Sequence, residues 1–226
     1  MDKKKVIEVN GLQASFDNRM VLTDVSFSAY KGEVTVILGG SGSGKTTVLR
    51  HMLSLYPLEE RGRVMVLGKD VAALREVEQV DLYLKMGVFY QNGGLINSLT
   101  VAENVALPLT QHTKLPPALV NDMVLMKLGL VNLTDAYHLY PSQLSGGMLK
   151  RAALARAIVM DPELLFCDEP GAGLDPVSLE SLDALLLNLK HKLGMSIVMV
   201  THEVSSILRV ADRVVFMAEG EICEEG

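Results

Sequence analysis

Eight residues in a row, Gly39-Gly40-Ser41-Gly42-Ser43-Gly44-Lys45-Thr46, fit the pattern G-x-x-x-x-G-K-[ST], and Thr47 follows them. Glycines let backbone N–H groups converge on phosphate oxygens, and a helix beginning here adds its positive end. In such a loop Lys45 neutralises the β and γ phosphates and the Thr46 hydroxyl holds Mg²⁺. The chemistry implied is the binding of a nucleoside triphosphate.

Other reactive groups stand after apolar runs. Asp168 and Glu169 follow Leu164-Leu165-Phe166-Cys167. Beside a phosphate loop, Asp168 would complete the Mg²⁺ shell through water, and Glu169 would orient or deprotonate the attacking water. A lone histidine after a strand more often caps or packs, but His202 follows Ile197 to Val200 beside strand ends that hold nucleotide groups, which favours a sensor of the γ-phosphate. Gln91 follows Met86 to Tyr90 and takes the same reading with less force. Ser145-Gly146-Gly147 precede a helical pattern from Leu149 to Met160, which makes them a second anion cradle or an ordinary serine cap. One nucleotide needs one cradle. The second is therefore structural, or it serves a nucleotide held by another copy.

These groups need elements to aim them. Val34 to Leu38, Met86 to Tyr90, Glu163 to Cys167 and Ser196 to Val200 are short apolar runs, the pattern of strands buried on both faces. Helical patterns separate them, so a parallel sheet is expected. Ligands of such sheets bind beyond the carboxyl ends of the strands, where all these groups fall. Val6 to Phe16 and Val21 to Ala29 alternate around Asp17-Asn18 and predict antiparallel strands. The clearest helix follows Asp175, with Pro176 in its first turn, Leu179, Leu182, Leu186, Leu189 and Leu193 on one face, and Gly194 at its end. From about Leu95 to Met160 the pattern is helical, with Leu119, Met123, Met126 and Leu130 as one stripe. The fold class is thus α/β: a phosphate-loop core with a parallel sheet and an N-terminal antiparallel β part (1–91 and 161–226 together), and an inserted helical part that carries Ser145-Gly146-Gly147 (92–160). The chain stops after a strand pair around Glu219-Gly220, which predicts a truncated C-terminus.

Totals narrow the class. With 226 residues the chain holds one sizeable core, and a net charge of −6 argues against a nucleic-acid partner. No run of about 18 apolar residues is present to span a bilayer. Two cysteines, Cys167 and Cys223, fit a reducing compartment and a cytoplasmic protein.

Along nearly its whole length the sequence resembles the nucleotide-binding domain of ABC transporters. The resemblance makes Gly39 to Thr46 the Walker A loop, Asp168 the end of Walker B and Glu169 the catalytic base. It makes Leu144 to Met148 the signature, Gln91 the Q-loop glutamine on the metal, Gly173-Leu174-Asp175 the D-loop and His202 the switch histidine. Phe16 stands where the family places an aromatic that stacks on adenine. The resemblance implies a head-to-tail homodimer with two ATP molecules, each between one Walker A and the other copy's Ser145-Gly146-Gly147. It also implies an integral membrane permease partner and a place on the cytoplasmic face of the inner membrane. Met148 departs from the usual glutamine. With the stretch Gln91 to Val105 it is similar to the ATPases of MCE-linked, Mla-type lipid transporters, which implies an MCE-type lipid-binding protein as a further partner. A non-transport ATPase of the cell-division or iron–sulfur assembly type is the alternative.

Overall fold

The structure, a computed structural model, describes residues 3–17, 19–57 and 62–226. Ten strands are present among them: β1 (Lys5–Phe16), β2 (Arg19–Tyr30), β3 (Val34–Gly39), β4 (Arg63–Val66), β5 (Lys69–Asp70), β6 (Met86–Phe89), β7 (Leu164–Asp168), β8 (Ser196–Val200), β9 (Arg213–Ala218) and β10 (Glu221–Glu225). The α-helices are α1 (Lys45–Met52), α2 (Glu76–Tyr83), α3 (Val101–His112), α4 (Pro117–Leu130), α5 (Gly146–Ala157), α6 (Pro176–Leu193) and α7 (Val204–Val210).

Two sheets form. The larger runs β10-β9-β3-β8-β7-β6, and the smaller runs β2-β1-β4-β5. Neighbours from β9 to β6 are all parallel, and only β10 joins antiparallel. All four strands expected from the apolar runs are there, and β9 adds a fifth parallel strand beside β3. The smaller sheet confirms the β1–β2 pairing; of its turn residues, Asp17 has φ 50° and Asn18 lies outside the described residues.

The larger sheet separates two cores. Leu165 and Cys167 of β7, with Ile197 and Met199 of β8, pack with α3 to α6, while Leu164, Phe166, Val198 and Val200 pack with β1, β2 and α1. Side chains alternate along a strand, so a run apolar at every position is what a sheet covered on both faces requires. α6 matches its sequence reading in full. Asp175 Oδ1 accepts from the N–H groups of Val177 (3.1 Å) and Ser178 (3.0 Å), and Gly194 closes the helix at φ 65°.

Two expectations are corrected. α5 begins at Gly146 and ends at Ala157, three residues earlier at each end than its apolar pattern. The side chains that α4 buries are Val120, Val124, Lys127 and Leu128, whereas Leu119 (45 % exposed) and Met126 (58 % exposed) face outward. Lys127 hides the true stripe: its stem lies in the core and its ammonium reaches Asp161.

Candidate active site

The phosphate loop joins β3 to α1, and its glycines have different reasons to be there. A Cβ on Gly39 would lie 2.3 Å from the Met217 carbonyl oxygen and 2.6 Å from Ser43 Oγ, because β9 runs alongside. Gly44 sits at φ 100° with Leu22 Cδ2 2.5 Å from where a Cβ would be. A Cβ built on Gly40 or Gly42 would have nothing within 4 Å, so that side of the loop is open to a ligand. The first intrahelical bond is Val48 N–H to Gly44 O (2.9 Å). The N–H groups of Lys45, Thr46 and Thr47 precede it, as the opening donors of any helix do, and are available to an anion. Lys45 is 9 % exposed, and its Nζ donates to the carbonyls of Gly39 and Gly40, both at 2.8 Å. Ser43 Oγ is buried without a hydrogen-bond partner. A cleft of about 180 Å³ borders Val21, Gly42, Gly44, Lys45, Thr46 and Thr47.

Strand order brings the carboxylates to this loop. β8 lies between β3 and β7, with Ile37 and Asp168 both in register with Val200. Burial, and then the neighbouring Glu169 carboxylate, raise the pKa of Asp168; Arg50 and Lys45 pull it back. Glu169 has φ 46°, and its N–H donates to Val200 O (2.9 Å). Its Oε1 lies 2.9 Å from His202 Nδ1, while Oε2 is buried with no partner. That hydrogen bond, and then the charge behind it, raise the pKa of His202. The unpartnered Oε2 is the feature that matters chemically. It is a buried acceptor without a partner, with the other oxygen of the same carboxylate already engaged.

The remaining expected residues lie around this centre. Phe16 ends β1, 40 % exposed, with its ring edge-on to Tyr56 at 5.2 Å. Gln91 is exposed just beyond β6, and its carbonyl accepts from Lys150 Nζ. Ser145 caps α5, accepting from Met148 N–H at 3.3 Å. Gly146 has nothing within 4 Å of a built Cβ. Neither these glycines nor Ser145 borders the Lys45 cleft; Gly147 borders a separate one of about 220 Å³ with Leu174 and Ser178. Within one chain the two cradles therefore border different clefts. Tyr56, Arg50 and Lys150 escape sequence reasoning, since no motif spacing marks them.

No group of three or more His, Cys, Asp or Glu that could hold a metal occurs among the described residues. Mg²⁺ suits this, because it is commonly held by one or two carboxylates together with substrate phosphates. The Thr46 hydroxyl and the Asp168 carboxylate beside the loop fit that demand.

A family model described as ABC transporter matches residues 22–172. The chain belongs to the ABC transporter family. This ABC ATPase is 37 % identical over 223 residues to the Haemophilus influenzae intermembrane phospholipid transport system ATP-binding protein MlaF, covering 99 % of this chain and 84 % of that one. It is 39 % identical over 206 residues to the Mycobacterium tuberculosis probable ribonucleotide transport ATP-binding protein mkl, covering 91 % of this chain and 57 % of that one. A dimeric ATP-binding cassette solved in a post-hydrolysis state with ADP and Pi superposes with a TM-score of 0.87 at 28 % identity, over 97 % of each chain. The ABC ATPase is the ATP-binding subunit of a transporter, and it hydrolyses ATP. That transport role is favoured over the non-transport alternative. No helix among its described residues is long and apolar enough to cross a membrane.

Proposed function

We propose that this ABC ATPase powers a phospholipid or related hydrophobic-cargo transporter as a head-to-tail homodimer on the cytoplasmic face of the inner membrane, with 1–91 and 161–226 as core and 92–160 as helical part. The observation that carries the dimer is the separation of the two cradles. The loop from Gly39 to Thr47 and the Ser145-Gly146-Gly147 cap border different clefts of one chain, so a second copy is what can place the cap against the same nucleotide. The cassette bound to ADP and Pi is likewise described as dimeric.

Within that arrangement Gly39, Gly40, Ser41, Gly42, Ser43, Gly44 and Thr47 shape the loop, Lys45 takes the β and γ phosphates, and Phe16 stacks on adenine. Mg²⁺ supplies charge neutralisation across the phosphates, and Thr46, Gln91 and Asp168 would hold it. Glu169 Oε2 accepts a proton from the attacking water as its oxygen bonds to the γ-phosphorus, while the bond from that phosphorus to the bridging oxygen breaks and ADP leaves with the electron pair. His202 keeps the other carboxylate oxygen in place and reads the γ-phosphate. The cargo class rests on the likeness to MlaF, with Met148 and the loop after Gln91 in its support. The membrane permease would seat in the cleft of about 230 Å³ bordered by Tyr90, Pro108 and Arg156, and an MCE-type protein would join the assembly.

Co-purification tests this. The full chain, expressed with the integral membrane protein encoded beside it, should copurify with it and show ATPase activity that rises in phospholipid nanodiscs. A preparation that binds no membrane protein and ignores phospholipid sinks the cargo assignment.

A further inference from the structure

We propose that Lys150 is a positioning residue that ties the main chain at Gln91 to α5, so that the helix capped by Ser145 carries the Q-loop with it. Lys150 is 6 % exposed, yet no carboxylate lies within ion-pair distance of it among the described residues. Its Nζ donates to the Gln91 carbonyl and stands 5.8 Å from the centre of the Phe89 ring. An ammonium ion is costly to bury without compensation, and here a single backbone carbonyl and a ring face supply it at close range.

The same helix grips the loop again. Arg156 donates from Nη1 to Gly94 O (2.7 Å) and from Nη2 to Gly93 O (2.8 Å). Between these points Gly93 rests on the helix: a Cβ there would meet Leu149 Cδ2 at 2.8 Å and Ala153 Cβ at 3.2 Å. Carbonyls 91, 93 and 94 are therefore held by one side of one helix. Arg156 and Gly93 fix the far part of the loop. Among the described residues, the one side-chain hydrogen bond to Gln91 comes from Lys150. Burial lowers the Lys150 pKa, and the Glu169 charge offsets only part of that, so the contact with the Gln91 carbonyl bears on an ammonium that is costly to keep here.

The experiment rests on the proposed metal contact of Gln91 and separates it from the clamp. In the full chain, Lys150→Met should speed amide exchange at residues 91–95 and leave exchange in β7 unchanged. It should raise the Mg²⁺ concentration for half-maximal ATP-driven dimerisation by about tenfold, the usual scale for removing a group that orients a metal ligand. Lys150→Arg should restore both, and Lys150→Met with Gln91→Ala should shift the Mg²⁺ requirement no further than Gln91→Ala alone. Unchanged exchange at 91–95, or additive shifts in the double variant, overturns the clamp. If Gln91→Ala leaves the Mg²⁺ requirement unmoved, the metal contact fails and the exchange result alone judges Lys150. Should the methionine variant not fold, Lys150→Leu, which likewise has no donor, serves in its place.

Discussion

Replacing Glu169 with glutamine is the sharpest test of the hydrolytic assignment. The carboxylate has two distinct oxygens: Oε1 is engaged by His202 Nδ1 at 2.9 Å, and Oε2 is buried and unpartnered. A carboxamide of the same shape keeps an acceptor for His202 but puts an N–H₂ group, which cannot take a proton, where Oε2 was. The loss is that of a positioned general base, about 10²- to 10⁴-fold in kcat, or about 3–5 kcal/mol of barrier. Binding should survive, since Lys45 and the loop are untouched. Removing the Glu169 charge also removes one of the two causes that raise the Asp168 pKa, which favours a metal-binding carboxylate. Phosphate release at saturating Mg-ATP gives kcat, nucleotide fluorescence gives affinity, and gel filtration with ATP should show an accumulated dimer. A variant whose kcat stays within about threefold of the parent, a barrier change under about 1 kcal/mol, refutes the base assignment.

Three further outcomes are expected. Gly39→Ala should lower stability by about 1–3 kcal/mol, because the added carbon meets the Met217 carbonyl, whereas Gly40→Ala should leave the urea midpoint unchanged and weaken ATP. Phe16→Ala should weaken ATP by about 1–3 kcal/mol, the worth of one base stacked on an aromatic ring, in an equilibrium binding assay; unchanged affinity would return Phe16 to an ordinary strand residue. His202 should titrate above the ordinary imidazole value in an NMR pH series and fall back in Glu169→Gln. A raised pKa in the folded state means that the stabilisation is complete below the unfolded value of about 6.5 and fades as pH rises through the folded one. The stability lost on His202→Ala should accordingly be larger at pH 6 than at pH 8.5, by little, since the ring is 61 % exposed.

Much of the site was legible because its residues are tied to strand ends. An apolar run followed at once by Asp168-Glu169, or by Thr201-His202, states both the element and the edge on which the side chain emerges. α6 was legible from one cap, one face and one glycine. α4 was not, because two stripes compete. Leu119, Met123, Met126 and Leu130 contain no polar residue, while the buried stripe runs through Lys127. Hydropathy alone prefers the wrong face, since it cannot see that a lysine stem is apolar and that Asp161 waits at its end. β4, β5 and α2 are too short to leave a period. Tyr56, Lys150 and Arg156 act through contacts across tens of residues, Lys150 to Gln91 spanning 59 positions, and no local pattern encodes such a meeting.

The backbone at Glu169 narrows what evolution or a designer can place there. Its φ of 46° lies in the left-handed region, which costs a non-glycine residue roughly 1–2 kcal/mol and a β-branched one more. Glycine would relieve that strain and leave the carbonyl of Val200 its partner, giving a sturdier protein with no base. Valine, isoleucine and threonine are disfavoured by conformation before their chemistry is considered. A library randomised at this position and selected for thermal survival should enrich glycine and asparagine, and one selected for turnover should return glutamate. The two selections pull apart because the chain bends sharply where the proton must be taken.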